Sequence, residues 1–192
     1  MNKIFKIALI SLAIIGFAAC EISWGSCPSF KYEQESFDST LYLGKWYEIA
    51  RHKSTPFQKG DCTTAVYSKL ANGNIKVVNS EIENGCLKVV EGEAEQTAEK
   101  NVYKVSFGKS LFSKLYKGDY RVFDTDYTSY SLVYSCTDFS LGKFNYVWVL
   151  ARKPVLPEVT LSRLFGQIEA IFGIPRNEMR LNNQNNEFCG RK

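Results

Sequence analysis

Between Gly44 and Arg152 the chain passes through short runs rich in Val, Tyr, Phe and Thr, punctuated by Gly, Asn and Asp, and this rhythm leaves few folds open. β-Branched and aromatic residues fit a pleated, half-buried surface, and turn residues at this spacing return each strand against the last. The runs are Lys45 to Lys53, Thr63 to Leu70, Ile75 to Ile82, Leu87 to Thr97, Asn101 to Phe107, Gly118 to Asp124, Tyr127 to Cys136 and Phe144 to Lys153. Asn72-Gly73 and Asn84-Gly85 mark tight hairpins, because both residue types accept the positive φ of primed turns. The expectation is an all-β fold, an eight-stranded antiparallel up-and-down barrel whose closure removes edges that invite aggregation. After the strands, Pro157 opens a segment from Glu158 to Phe172 that carries Leu161, Leu164, Phe165, Ile168, Ile171 and Phe172 at helical spacing. Gly173 and Pro175 end it, and its apolar stripe predicts a C-terminal helix packed on the outside of the barrel. The tail from Asn182 to Asn186 is polar and reads as extended, with Cys189 available to tie it down.

The N-terminus places Lys3 and Lys6 ahead of an apolar run, Ile7 to Ala19, that closes on small residues. That is the pattern of a secretory signal peptide over residues 1–20, and the run is short for the roughly 20 apolar residues of a membrane helix. Residues 21–192 then make one domain with a single core, exported to an extracellular setting. Loss of Lys3 and Lys6, with no acid, lowers the formal charge from +4 to +2. Basic residues are interleaved with acids and form no stripe that would track phosphates, so nucleic acid is not an expected partner. A second reading of the N-terminus is a membrane-anchored lipoprotein acylated at Cys20, although Phe17 stands where such signals usually carry leucine.

Cys20, Cys27, Cys62, Cys86, Cys136 and Cys189 are widely spaced, with no Cys-x-x-Cys pair and one histidine, His52. In an exported chain this reads as a disulfide framework rather than a zinc or redox site, so no metal and no cofactor are expected. His52, between Arg51 and Lys53 and without a local acid, reads as a rim residue rather than a catalytic base. No nucleophile elbow, metal-ligand pair or phosphate loop occurs, and no catalytic residue is assigned.

Three separated segments together resemble the lipocalin signature: Gly44-Lys45-Trp46-Tyr47, Thr125-Asp126-Tyr127 and Arg152. The longer stretches Gly44 to Arg51, Asn72 to Asn79, Tyr134 to Thr137 and Trp148 to Arg152 resemble apolipoprotein D and the bacterial lipocalins within that family. The resemblance implies a calyx plugged at one end by Trp46, with Arg152 lying across the indole face as a cation–π partner. It also implies disulfides Cys27–Cys136 and Cys62–Cys189. Cys86 is left over, as a free thiol or as a partner for Cys20. Lipocalin-type prostaglandin isomerases place a cysteine inside the cup on the second strand. Neither Cys62 nor Cys86 fits that position well, so a lipocalin-fold enzyme acting on a lipid is the alternative to a non-catalytic carrier.

Alternation along β-strands sets the expected lining. Taking Trp148 inward puts Leu150 inward and Arg152 at the base. On other strands the resemblance points to Tyr67, then to Val77, Asn79 and Glu81, then to Tyr103, Val105 and Phe107. This mostly apolar and aromatic wall with a few polar groups suits extracellular binding and transport of a lipid, sterol, retinoid or lysophospholipid. Apolipoprotein D carries an arginine where Glu83 stands here, which weighs against a fatty acid. Finally, Leu111, Phe112 and Leu115 are interleaved with lysines between the fifth and sixth strands, a composition that reads either as a loop folded over the mouth or as one able to touch a lipid surface transiently at the open rim.

Overall fold

The computed structural model describes residues 24–30, 37–108, 117–140 and 142–191. The expected signal peptide, Cys20 and the segment holding Leu111, Phe112 and Leu115 lie outside these residues. The chain forms a short helix α1 (Ser39–Tyr42) and then strands β1 (Gly44–His52), β2 (Asp61–Lys69), β3 (Ile75–Glu83) and β4 (Cys86–Gln96). It continues through β5 (Val102–Phe107), β6 (Gly118–Thr125), β7 (Tyr130–Phe139) and β8 (Gly142–Ala151) to helix α2 (Glu158–Phe172) and a short strand β9 (Met179–Leu181). Each of β2 to β7 pairs antiparallel with its successor. β1 closes the ring by pairing with both β2 and β8.

Closure is incomplete along β1. Gly44 to Tyr47 face β2, but beyond a bulge between Glu48 and Ala50 the strand turns away, and Ala50 to His52 pair with β9 instead. The polar tail fills the resulting gap. Asn182 donates from Nδ2 to Glu48 Oε1 and Thr63 Oγ1, and Gln184 donates from Nε2 to the carbonyls of Glu48 and Thr63. These amides are buried because they satisfy backbone and side-chain groups that strand pairing would otherwise have satisfied. A disulfide from Cys189 to Cys62 on β2 pins the tail, and another joins Cys27 to Cys136 on β7.

Two apolar clusters lie on opposite sides of the wall. The inner one fills the base of the barrel around Trp46, Tyr42, Val122, Val133 and Leu150. The outer one joins β7 and β8 to α2 through Leu132, Val147, Val149, Leu164 and Ile168. Because α2 covers their outer face, β7 and β8 are buried on both sides, which is why Leu132-Val133-Tyr134 and Val147 to Ala151 read as continuous runs. Ile171 departs from the expected stripe: it is 38% exposed, while Leu161, Leu164, Phe165, Ile168 and Phe172 are buried. Gly173 ends the helix in a left-handed conformation, donating its N–H to Glu169 O.

Candidate functional site

The closed end is built from the segments that carry the sequence signature. Gly44 has φ +94°, a region costly to any residue with a Cβ, and this bend feeds Trp46 into the base of the barrel. Trp46 is fully buried, and its indole N–H donates to Tyr42 O of α1 at 2.9 Å. The guanidinium of Arg152 lies 3.8 Å from the centre of the indole ring. Its three nitrogens donate to the carbonyls of Tyr127, Lys45 and Leu41, joining the β6–β7 turn, β1 and α1 through one side chain. Asp126 organises that turn by accepting from the backbone N–H groups of Thr128, Ser129 and Tyr130, while Thr125 Oγ1 donates to Tyr130 O. These bonds, and φ of +64° at Tyr127, delay the start of β7 from the expected Tyr127 to Tyr130. Burial pushes the Asp126 carboxyl up, but the backbone donors outweigh it and hold its pKa below the ordinary value.

Above this floor the barrel encloses a cavity of about 550 Å3. Tyr67 and Val77 line its lower wall, Tyr103, Val105 and Phe107 come from β5, and Trp148 and Leu150 from β8. Asn79 faces the same space, and its Oδ1 is buried with no hydrogen-bond partner. Glu81 does not line the cavity. It shares the inner face of β3, but its carboxylate accepts from the backbone N–H of Gly60 at 3.1 Å, and the loop from β1 to β2 covers it.

Several lining groups escape the expected set. Glu48, two residues beyond Trp46 on the same face, contributes a buried carboxyl to the wall. Arg51 Nη1 donates to it at 2.5 Å, and Gln58 Nε2 donates at 3.2 Å while Gln58 Oε1 accepts from Trp148 Nε1 at 2.7 Å. Burial pushes the Glu48 pKa up against the pull of Arg51. At the base, four hydroxyls form a chain: Ser131 Oγ to Tyr42 Oη at 2.9 Å, Tyr42 to Tyr120 at 3.1 Å, and Tyr120 to Tyr67 at 2.7 Å. Burial raises the pKa of Tyr42 to about 12 and holds Tyr67 and Tyr120 well above the ordinary tyrosine value, so all three stay protonated at neutral pH. Phasing from Trp46 on β1, or from Val122 on β6, signals that Glu48 and Tyr120 point inward.

The histidine and the cysteines sit away from this space. His52 is buried rather than on the rim: Nδ1 lies 2.8 Å from Ser54 Oγ and 3.2 Å from Asn145 O, beneath the outer wall. Cys62 is in a disulfide, and Cys86, free and exposed, opens β4 outside the cavity lining. Among the described residues no cluster of His, Cys, Asp or Glu is arranged to hold a metal ion. At the other end of the barrel from Trp46, Phe57 packs against Tyr146 and Trp148 yet is 60% exposed, and Leu87, Val89 and Val90 are exposed near the β3–β4 turn.

Residues 37–184 match the family model described as a lipocalin-like domain. Apolipoprotein D of Rattus norvegicus is 45% identical over 142 residues, covering 73% of both chains. The bilin-binding protein of Pieris brassicae is 30% identical over 152 residues, covering 77% of this chain and 79% of its own. Among solved structures, lobster apocrustacyanin A1 superimposes with a TM-score of 0.72 at 19% identity, over 85% of this chain and 91% of its own. That last likeness is one of fold.

Proposed function

The chain belongs to the lipocalin family, and from that premise we propose that its cup binds and transports a small hydrophobic or amphiphilic ligand outside the cell without catalysing a reaction. The observation that carries the proposal is the cavity itself: about 550 Å3, closed below by Trp46, open above, and lined mainly by apolar and aromatic side chains with a few polar atoms. This is the ordinary size and chemistry of a small-molecule site. A sterol, a retinoid or a single-chain lipid such as a lysophospholipid fits such a wall, and a relative named for binding bilin points to the same kind of cargo. Burial of about 300 Å2 of apolar ligand surface at roughly 25 cal/mol per Å2 yields a gross gain of about 7.5 kcal/mol. After ordering costs and compensating polar contacts, affinity near the micromolar range is expected.

Export is proposed from the N-terminal pattern and is supported by the two disulfides, which persist in oxidising compartments. Mass spectrometry of the secreted chain tests it, with loss of residues 1–20 as the expected result. The exposed Phe57, Leu87, Val89 and Val90 at the open end support brief contact with a lipid surface, in which Leu111, Phe112 and Leu115 would take part. Co-sedimentation with liposomes should fall in a Leu111→Ser, Phe112→Ser variant.

The direct test of the cup is titration with retinol, a steroid and a single-chain lipid while tryptophan fluorescence is followed. Saturable quenching that disappears in Trp148→Phe is expected, because Trp148 is the tryptophan on the cavity wall. If no compound in the panel gives saturable quenching, or Trp148→Phe leaves every response intact, the carrier function is wrong.

A further inference from the structure

The cavity wall has a lopsided charge. Among its described residues there is no lysine, arginine or histidine, while Glu48 contributes a buried carboxyl; Asp119 also lines it, but alternation with the inward Tyr120 turns its carboxyl outward. Glu48 is already paired with Arg51 and Asp119 with Lys104. Glu83 pairs with Lys88 and does not line the cavity. An anionic head group brought into this space would meet no free cation among the described residues, and burying an unpaired charge is far costlier than burying a hydroxyl that finds a partner.

The hydroxyl chain at the base supplies such a partner. Four hydroxyls carry four hydrogens, but Ser131, Tyr42, Tyr120 and Tyr67 are joined by three contacts, so one hydrogen remains unused. Ser131 is completely buried and Tyr42 is 3% exposed with its oxygen already engaged twice. A spare donor stranded there would cost its full desolvation penalty. The favoured order therefore runs from Ser131 to Tyr42 and on to Tyr120 and Tyr67, and delivers the unused hydrogen to the end that faces the cavity. On the adjacent strand, Asn79 pairs with Ala65, one inward position along from the Tyr67–Val77 pair, and presents its unpartnered Oδ1 to the same space. This part of the wall thus offers a neutral donor and a neutral acceptor; Tyr103 on β5 adds a second hydroxyl without a hydrogen-bond partner, also neutral.

We propose that the cup selects neutral ligands bearing a hydroxyl or carbonyl oxygen over the corresponding carboxylates, through the spare hydroxyl hydrogen at the Tyr67–Tyr120 end of the chain and the unpaired Asn79 Oδ1. This rests on the ligand-binding function proposed above and adds the chemical class of the ligand. An alcohol satisfies both groups at once. A carboxylate satisfies the donor but sets negative charge beside Asn79 Oδ1 and the Glu48 carboxyl.

Three retinoids with nearly the same hydrocarbon frame test the idea at neutral pH: retinol, retinoate, and anhydroretinol, which lacks the oxygen. In the native protein retinol should bind about tenfold tighter than either of the others, the factor expected for one well-made hydrogen bond. In Tyr42→Phe with Tyr67→Phe and Tyr120→Phe, which removes every hydroxyl of the chain that lines the cavity, the advantage of retinol over anhydroretinol should vanish, with saturable anhydroretinol binding as the report that the cup is still formed. Ser131→Ala leaves three hydroxyls joined by two contacts, still with one spare hydrogen, and should keep the preference. Retinoate binding as tightly as retinol, or the preference surviving in the triple variant, overturns this inference and leaves the carrier function standing. Failure of all three retinoids to bind overturns both.

Discussion

The two ends of the barrel are built in contrasting ways. At the closed end, the polar groups around Trp46 are satisfied: Arg152 reaches three carbonyls, Trp46 donates to Tyr42 O, and Asp126 collects three backbone N–H groups. At the open end, Phe57, Leu87, Val89 and Val90 lie in solvent, and Asn79 Oδ1 in the wall below them has no partner. Saturated bonding fixes a shape, while unused apolar surface and unused polar atoms are what a ligand can occupy. The floor around Trp46 is therefore structural, and on the function proposed above recognition falls to the cavity-facing end of the hydroxyl chain, the walls and the mouth.

Substitution of one aromatic at each end makes the contrast measurable. Trp46→Ala removes a fully buried side chain and the face on which Arg152 lies, and should cost about 3–5 kcal/mol in urea unfolding. Phe57→Ala, at a residue 60% exposed, should stay within about 1 kcal/mol while weakening ligand binding. Comparable losses at the two ends would break the division between floor and mouth.

A smaller effect sharpens the role of Arg152. Arg152→Lys keeps the charge over Trp46 but cannot direct donors to Tyr127, Lys45 and Leu41 together, so a loss of about 1–3 kcal/mol is expected. If lysine substitutes without cost, charge over the ring suffices and the carbonyl contacts are incidental.

The smallest expected effect is a change in acid sensitivity. The pKa of Asp126 is depressed in the folded protein, so its contribution to stability is present above the unfolded value of about 4 and is lost as pH falls through the folded one. Asp126→Asn should flatten the loss of stability below about pH 4 and leave ligand affinity at neutral pH unchanged.

The same division explains what could be read in advance. The floor was legible through the family resemblance that Gly44, Trp46, Asp126 and Arg152 carry: the Trp46–Arg152 contact joins the two ends of the barrel sequence, and no local pattern would have paired them. Strand order followed from the turns, and helix α2 from its stripe. β9 and the burial of Asn182 and Gln184 were not legible, since they answer a gap that exists only because β1 bends away from β2 after Glu48. The resemblance points to Glu81 as a lining residue, but neither resemblance nor alternation tells which loop covers a strand's inner face, and here the β1–β2 loop takes its carboxylate. The hydroxyl chain joins β2, β6, β7 and α1, and no local pattern announces a contact among four elements.

The central claim is that a rigid floor supports a cavity occupied by one small molecule. Native mass spectrometry of the protein isolated from its source, beside an Ala94→Phe variant that fills the cavity wall, tests it most directly. A single small-molecule adduct per chain, present on the native protein and absent from the variant, is the predicted result. A bare native chain, or an adduct that persists in the filled variant, would contradict it.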